Sequence, residues 1–190
     1  MSTTNNTDLS SYENMKRSQI VTYQQHEPET SEHNSTVLDL CSRHLHNGKL
    51  VAFPTETVYG LGANALDSSA VYSIFDAKKR PLTDPVIVHV LDVDSALPLI
   101  SIDDKLLTVY RFLAQSFWPG PLTMVTRAND DKIPSCITAE TGFVGVRCPE
   151  HDLARKLLQF SGLPIAAPSA NRFGHVSPTR AQHVMDDLGE

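Results

Sequence analysis

The sequence has few cysteines, and their spacing fits neither a zinc site nor a disulfide framework. Three are present, Cys41, Cys136 and Cys148, and no two form a CxxC or Cys/His motif. Their simplest interpretation is reduced thiols that act as small buried hydrophobic side chains. Such usage is typical of a reducing compartment.

Long apolar runs are also missing. The densest two, Val86–Leu91 and Leu97–Ile102, are interrupted by His89, Pro98 and Ser101, and neither approaches the ~18 residues that a membrane span needs. The N-terminus lacks the apolar core of a signal peptide, and five acidic residues within residues 1–36 argue against a mitochondrial presequence. We therefore expect a cytoplasmic protein that does not bind a membrane.

Positive charge is in the minority, with 16 Lys and Arg against 22 Asp and Glu, for a net charge of −6. This balance argues against bulk electrostatic binding of nucleic acid, but it leaves room for a local basic pocket that binds phosphate. No metal-ligand set, nucleophile elbow or Walker loop is present, so we predict no metal site in the protein itself. A length of 190 residues predicts a single domain.

The first 35 residues differ in composition from the rest, because they are rich in Ser, Thr, Asn, Gln and Glu and poor in aliphatic side chains. Such a segment cannot bury enough apolar surface to offset the entropy of ordering it. We predict that residues 1–17 are disordered and that residues 18–35 form a loose arm, in which Ser18–Tyr23 is a possible short strand. Residues 36–190 are predicted to form the folded domain.

Helices are predicted from apolar spacing and capping residues. The spacing is helical from Thr36 to a stop at Gly48. Asp67 is a candidate N-cap, Ser101-x-x-Asp104 resembles a capping box, and Gly162 is a stop for the helix before it. Ser177-Pro178 is typical of a helix start, here for a helix that continues to Leu188.

Strands are predicted between these helices. They are Leu50–Phe53, Val86–Leu91, Leu122–Thr126, Phe143–Arg147 and Ile165–Ala167. Alternation of strands with helices indicates an α/β domain, and the connections that lack a helix indicate a mixed parallel and antiparallel sheet.

Several polar clusters lie where the predicted strands end, which is where α/β sheets bind ligands. The segment from Phe53 to Gly62 carries hydroxyls and a carboxylate that could bind a ligand. The same composition is also typical of a tight turn. The run Lys78–Pro81 suits a polyphosphate, or it complements the C-terminus of a helix. His89 is a core residue or a ligand-binding group, and Arg147 pairs with a structural acid or awaits an anion.

A further cluster follows the last predicted strand. Ser169 and Asn171, with Ser177 and Thr179 downstream, offer hydroxyl and amide groups that can bond phosphate or ribose, or can serve as caps and turns.

Six motifs in order, from about residue 48 to residue 188, give the sequence a family resemblance. They are PTETVYGLG, KKRP, PVIVHV, WPGPLT, VGVRCP and PSANRFGHVSPT. This order resembles the YrdC/Sua family of threonylcarbamoyl-AMP synthases. The resemblance implies a twisted mixed α/β sheet with flanking helices around a concave, positively charged cavity.

The resemblance also implies a reaction. L-threonine, bicarbonate or CO2, and ATP would give threonylcarbamoyl adenylate and pyrophosphate, and the product would pass to the machinery that modifies tRNA with threonylcarbamoyladenosine. Mg²⁺ would be carried by the phosphates. Thr57, His89 and Arg147 match positions at the threonine end. The positions that match the nucleotide end are Lys78, Arg80, Asp84, Phe143, Ser169, Asn171 and Thr179.

Particular roles follow from this match. Lys78 and Arg80 would neutralise charge as pyrophosphate leaves. Asp84 stands where the family often has Asn, and Phe143 stands where a hydroxyl is common, so Phe143 would act through its backbone. Arg147 would hold the threonine carboxylate.

The chain ends at Glu190, directly after the last predicted helix, whereas family members continue with further strands, and longer ones add a second domain. We therefore expect a YrdC-like domain that is incomplete at its C-terminus and has little synthase activity by itself. Two other functions stay open. One is an RNA-binding module of the same fold that contacts tRNA or double-stranded RNA. The other is a carbamoyltransferase-type relative, whose upstream acylphosphatase and zinc-finger segments have no counterpart in residues 1–36.

Overall fold

The computed structural model describes residues 18–26 and 31–189. The prediction of disorder for residues 1–17 lies outside the described residues. Within them, seven α-helices, six strands and a 3₁₀ turn at Leu97–Leu99 follow one another along the chain. The helices are α1 Glu32–His46, α2 Ser68–Lys78, α3 Val93–Ala96, α4 Asp104–Phe117, α5 Ser135–Thr138, α6 Asp152–Ser161 and α7 Ala181–Leu188. The strands are β1 Val51–Phe53, β2 Gly60–Asn64, β3 Val88–His89, β4 Thr123–Arg127, β5 Phe143–Arg147 and β6 Ile165–Ala166.

The six strands form one sheet in the order β1-β2-β6-β3-β5-β4. Only β3 and β5 run parallel, and every other neighbouring pair is antiparallel. The predicted mixed sheet is therefore confirmed. Apolar residues of α2, α4 and α5 pack together with the sheet in the larger core, while α1 and α6 pack with β1 and β6 in the smaller one.

Helix α1 begins four residues before the predicted start at Thr36. The Ser31 hydroxyl accepts the Asn34 amide at 3.3 Å, and the buried Asn34 side chain exchanges two 2.9 Å hydrogen bonds with the Gln24 backbone. The first turn is thus held by polar contacts with the arm, which apolar spacing does not reveal. The arm itself contains no strand over Ser18–Tyr23, so that prediction is wrong. The division at residue 36 stays a prediction.

Strand β2 was not predicted, because its sequence, Gly-Leu-Gly-Ala-Asn, lacks the β-branched and aromatic residues typical of strands. Small residues are required there by packing. A Cβ atom on Gly62 would lie 2.8 Å from both Ile165 Cγ2 and Phe53 Cε1.

Two predicted helix starts are wrong. Asp103, rather than Ser101, caps α4 by accepting the Leu106 amide at 2.8 Å, because the Ser101 amide is bonded to the Arg127 carbonyl at the sheet edge. The last helix begins at Ala181, not at Ser177-Pro178. Three other predicted helix boundaries are confirmed. Asp67 is the N-cap of α2, Gly162 in the left-handed conformation is the C-cap of α6, and Leu188 is the last residue of α7.

Candidate functional site

Two groups of predicted site residues lie at different levels of the sheet. His89 and Arg147 are neighbours in the parallel pair β3–β5, where they occupy the same register position. Ile165 pairs with His89 on the other side, and Ser169 follows four residues later. At ~3.3 Å per residue, the Ser169 segment therefore lies roughly 13 Å along the sheet from His89.

We call the first group the arginine cluster and define it as Glu56, Thr57, His89 and Arg147. Arg147 is buried, and its Nη2 lies 2.7 Å from Glu56 Oε1 and donates to Thr57 Oγ1 at 3.2 Å. Burial alone would raise the pKa of Glu56, but the hydrogen bond and charge of Arg147 outweigh burial and hold that pKa below its usual value. The pair is therefore ionised at neutral pH.

Two nitrogens of the arginine cluster have no hydrogen-bond partner among the described residues. They are the buried Arg147 Nε and His89 Nδ1. A buried donor or acceptor without a partner costs free energy. Such atoms, side by side in one register position, are suited to a polar ligand.

His89 is neutral in this environment. Burial, together with the charge of Arg147, lowers its pKa to about 4, and its ring lies edge-on to Phe53 at a centroid distance of 6.0 Å. A neutral imidazole offers one donor and one acceptor. It can therefore bond a hydroxyl or a carboxylate without adding a charge.

The second group is centred on Lys78, the last residue of α2. Its side chain is only 1 % exposed. Its Nζ donates to the Ser169 carbonyl at 2.5 Å and to the Asn171 carbonyl. Burial and the charge of Arg80 lower the pKa of Lys78 to about 8, so the ammonium is mostly protonated at neutral pH. We call residues Ser169–Asn171 the lysine-bound loop.

Arg80 is separated from Lys78 by Lys79, which adopts the left-handed conformation, with φ at 52°. The Arg80 guanidinium donates to the carbonyls of Asp84 at 3.4 Å and Pro85 at 3.0 Å. Its side chain is 17 % exposed, and Asp84 Oδ2 lies 3.8 Å away. The predicted pair Arg80 and Asp84 is thus brought together at the start of the segment that leads to β3.

Asn171 is buried with its side-chain amide bonded to the carbonyls of Arg172 at 2.9 Å and His175 at 2.7 Å. Its Oδ1 has no partner among the described residues. Thr179 is exposed, and only its backbone amide contacts a side chain, His183, at 3.5 Å. Asn171 therefore offers an acceptor oxygen in a fixed orientation, whereas Thr179 lies at the protein surface.

Phe143 lies at the level of the sheet that the Ser169 segment also occupies, according to the register of β3 with β5 and β6. It is at the opposite end of β5 from Arg147, roughly 13 Å away at ~3.3 Å per residue. Its ring is 45 % exposed and lies under Arg127, 5.5 Å from the guanidinium. Its amide donates to Thr141 Oγ1 at 3.2 Å, so the predicted backbone role has only its carbonyl left.

The two groups are connected through the loop between β1 and β2. The Tyr59 carbonyl accepts the Ala170 amide at 2.8 Å, and the Tyr59 amide donates to the Pro178 carbonyl at 2.8 Å. Gly60 and Ser169 form an antiparallel bridge. The loop that contacts Arg147 through Glu56 and Thr57 thus also supports the lysine-bound loop.

Sequence reasoning did not select Glu56, although it lies in the polar cluster that reasoning singled out. A carboxylate in an apolar loop and an arginine ending an apolar strand were the available signals, and their pairing was one of the two options for Arg147. The structure shows that pair.

Two grooves lie away from the two groups. One of about 560 Å³ lies between the arm, α1, β1 and α7, and one of about 950 Å³ lies between α4 and β4. Of the predicted site residues, only Phe143 lines either groove. The positive charge of the cavity stays a prediction.

Metal and membrane features were searched over the same part of the chain. Residues 18–26 and 31–189 contain no group of three or more His, Cys, Asp or Glu side chains placed to hold a metal ion. None of the described helices combines the length and apolarity needed to cross a bilayer.

Comparison with known proteins identifies relatives over most of the chain. A curated Pyrococcus abyssi protein named threonylcarbamoyl-AMP synthase is 49 % identical over 144 residues, which cover 76 % of this chain and 41 % of that protein. A Bacillus subtilis protein of the same name is 47 % identical over 145 residues, again 76 % of this chain and 41 % of the relative. The chain therefore spans about two fifths of the length of these relatives.

Solved structures agree with the fold. The crystal structure of P. abyssi Sua5 complexed with L-threonine superimposes with a TM-score of 0.77 at 44 % identity, over 83 % of this chain and 45 % of that one. Escherichia coli YciO, at 18 % identity, has the same fold, with a TM-score of 0.69 over 82 % of this chain and 74 % of that one.

The family comparison covers most of the domain. The model of the Sua5/YciO/YrdC family, which carries the description "Telomere recombination", matches residues 43–190. The motifs, the mixed sheet and this match agree, and the chain belongs to the Sua5/YciO/YrdC family.

Proposed function

We propose that the protein forms L-threonylcarbamoyl adenylate from L-threonine, bicarbonate or CO2, and ATP, with release of pyrophosphate. The observation that carries the proposal is the arginine cluster, in which Arg147 Nε and His89 Nδ1 are buried without partners. The solved relative complexed with L-threonine supports an amino acid as the ligand of these atoms.

The arginine cluster suits the two polar ends of threonine. Arg147 can bond the carboxylate through Nε while Nη2 stays with Glu56 and Thr57. His89, being neutral, can bond the carboxylate or the hydroxyl. A site that bonds a hydroxyl strongly rejects an analogue without one, so L-valine is expected to bind much more weakly than L-threonine.

The nucleotide is proposed to lie along the sheet toward Arg80 and the lysine-bound loop. The level difference of roughly 13 Å leaves room for a small amino acid followed by phosphates. Arg80 supplies a partly exposed cation with Asp84 beside it, and Asn171 Oδ1 is an acceptor without a partner among the described residues. Thr179 is proposed as a further polar contact. Phe143 is kept in the proposal only through its carbonyl.

The reaction requires positioning more than proton transfer. The threonine amine adds to CO2 and gives a carbamate, whose oxygen attacks the α-phosphorus of ATP as the bond to pyrophosphate breaks. Mg²⁺ carried by the phosphates would neutralise charge on the leaving group when bound. The residues of this chain hold the carboxylate and the phosphates in line.

The product is proposed to serve the threonylcarbamoyl modification of tRNA, and a cytoplasmic location belongs to the same proposal. Binding of tRNA or double-stranded RNA by the chain itself is the alternative carried from the sequence. The net charge of −6 gives it no support, and a gel-shift assay with tRNA at physiological salt tests it.

Calorimetric titration of L-threonine tests the proposal. We expect saturable binding to the wild-type protein, much weaker binding of L-valine, and a loss of threonine binding of about 100-fold in Arg147→Met, since a charge-assisted contact with the carboxylate is removed. The matched control Arg127→Met removes an arginine that lies on Phe143 and should leave binding unchanged. Equal affinities for threonine and valine, or unchanged binding in Arg147→Met, would contradict the proposal.

A further inference from the structure

The ammonium of Lys78 is used within the protein. It is almost completely buried, and its two hydrogen bonds go to backbone carbonyls of Ser169 and Asn171, 91 and 93 residues further along the chain. Among the described residues, no carboxylate lies within ion-pair distance of it. An ammonium has three donors, so at most one is left for any ligand.

Backbone hydrogen bonds also hold the lysine-bound loop and the residues next to it. The Ala170 amide donates to the Tyr59 carbonyl at 2.8 Å, and the Phe173 amide donates back to the Lys78 carbonyl at 2.9 Å. Ala170 is completely buried. Removal of the ammonium would leave the Ser169 and Asn171 carbonyls without this donor, a loss that a loop of three residues has few other contacts to offset.

Arg80 also donates to backbone carbonyls, those of Asp84 and Pro85, but it differs from Lys78 in exposure and in having a carboxylate nearby. Its side chain is partly exposed and leans on Asp84, Pro85 and the Phe173 ring at the surface. Lys79, in the left-handed conformation, separates the two cations at the end of α2. Lys78 is almost completely buried, whereas the Arg80 side chain keeps a partly exposed surface.

We propose that Lys78 is a positioning residue, which fixes the lysine-bound loop and thereby Asn171. Arg80 keeps the contact with the nucleotide phosphates that the proposed function gives it. The part concerning phosphates rests on the proposed function. The part concerning the loop does not, because it is a property of the protein without ligand.

Hydrogen exchange of the ligand-free protein tests the loop. We expect Lys78→Met, which keeps an unbranched side chain one atom shorter, to speed exchange of the Ala170 amide by at least about tenfold, the factor given by about 1.4 kcal/mol of local opening. The matched variant Arg80→Met should leave this exchange unchanged. Unchanged exchange in Lys78→Met would overturn the positioning role.

Nucleotide affinity separates positioning from phosphate contact. For Lys78→Met we expect ATP and AMP to lose affinity by similar factors, because the loop that both contact is displaced. For Arg80→Met we expect the loss for ATP to exceed that for AMP by about tenfold or more, since charge-assisted bonds to the outer phosphates are removed. A loss confined to ATP in Lys78→Met would overturn the proposal.

A second variant keeps the test decisive if Lys78→Met fails to fold. Lys78→Gln retains two N–H donors without the charge, so we expect it to keep most of the Ala170 protection and of the AMP affinity. Fully lost protection with retained AMP affinity would contradict the proposal. If wild-type protein binds neither nucleotide, the proposed function fails, and the exchange result still decides the role of Lys78.

Discussion

The ion pair between Glu56 and Arg147 gives the most quantitative expectation. Glu56→Gln removes the charge and keeps the shape of the side chain. The pair is separated by 2.7 Å, with side chains only 17 % and 10 % exposed. Two unit charges at that distance attract by about 6 kcal/mol at an effective dielectric constant of ~20.

Desolvation of both groups offsets most of that attraction. Breaking a fully buried pair costs ~3–5 kcal/mol and an exposed pair ~0–1 kcal/mol. We therefore expect Glu56→Gln to lower the free energy of unfolding by about 2 kcal/mol. A urea titration followed by circular dichroism measures it.

A matched control separates burial from distance. Asp39 and Arg43 on α1 are paired at 2.8 Å, but their side chains are 50 % and 43 % exposed. Asp39→Asn should therefore cost less than about 0.5 kcal/mol. Equal losses in the two variants, or no loss in Glu56→Gln, would refute the reasoning.

The same variant connects stability with the ligand. In Glu56→Gln the Arg147 charge has lost its counterion, which the carboxylate of L-threonine can replace. Saturating L-threonine should then raise the free energy of unfolding more in the variant than in the wild type. A smaller increase in the variant would mean that Glu56 does not compete for Arg147.

Three further expectations concern single residues. The pKa of His89 falls from 6.5 to about 4 on folding, so the unfolded state binds more protons than the folded state between these pH values. The contribution of His89 to stability is therefore complete above pH ~6.5, and about 3 kcal/mol is lost as the pH falls to 4. The free energy of unfolding of His89→Gln should depend less on pH in that window, and an unchanged slope would contradict a neutral imidazole. Arg80→Gln should reduce threonine-dependent pyrophosphate release about 100-fold, and near-normal turnover in a folded variant would count against the phosphate contact. Gly62→Ala should lower the free energy of unfolding by about 1–3 kcal/mol, because its Cβ would lie 2.8 Å from Ile165 and Phe53; a wild-type denaturation midpoint would show that this contact relaxes freely.

The sequence predicted most helices because their apolar residues are periodic and their ends carry ordinary caps. It predicted five of the six strands because these are short apolar runs between the helices. Strand β2 was missed for a physical reason. Phe53 and Ile165 leave no room for a side chain at Gly62. Such a steric requirement can be recognised only when the neighbouring strands of the sheet are known.

The site shows a similar limit. Arg147, His89 and Thr57 could be selected by residue type and by family resemblance, and the structure places them together. The environment of Lys78 could not be predicted, because its partners are backbone carbonyls, which every residue possesses and no motif marks.

We propose that this family member joins threonine, bicarbonate and ATP in one product. Mass spectrometry of a reaction with ¹³C-bicarbonate, L-threonine and ATP tests this proposal most directly. We expect a threonylcarbamoyl adenylate that carries the label, formed together with pyrophosphate and abolished in Arg147→Met. Pyrophosphate release without threonine, or no labelled adenylate although threonine and ATP both bind, would contradict it.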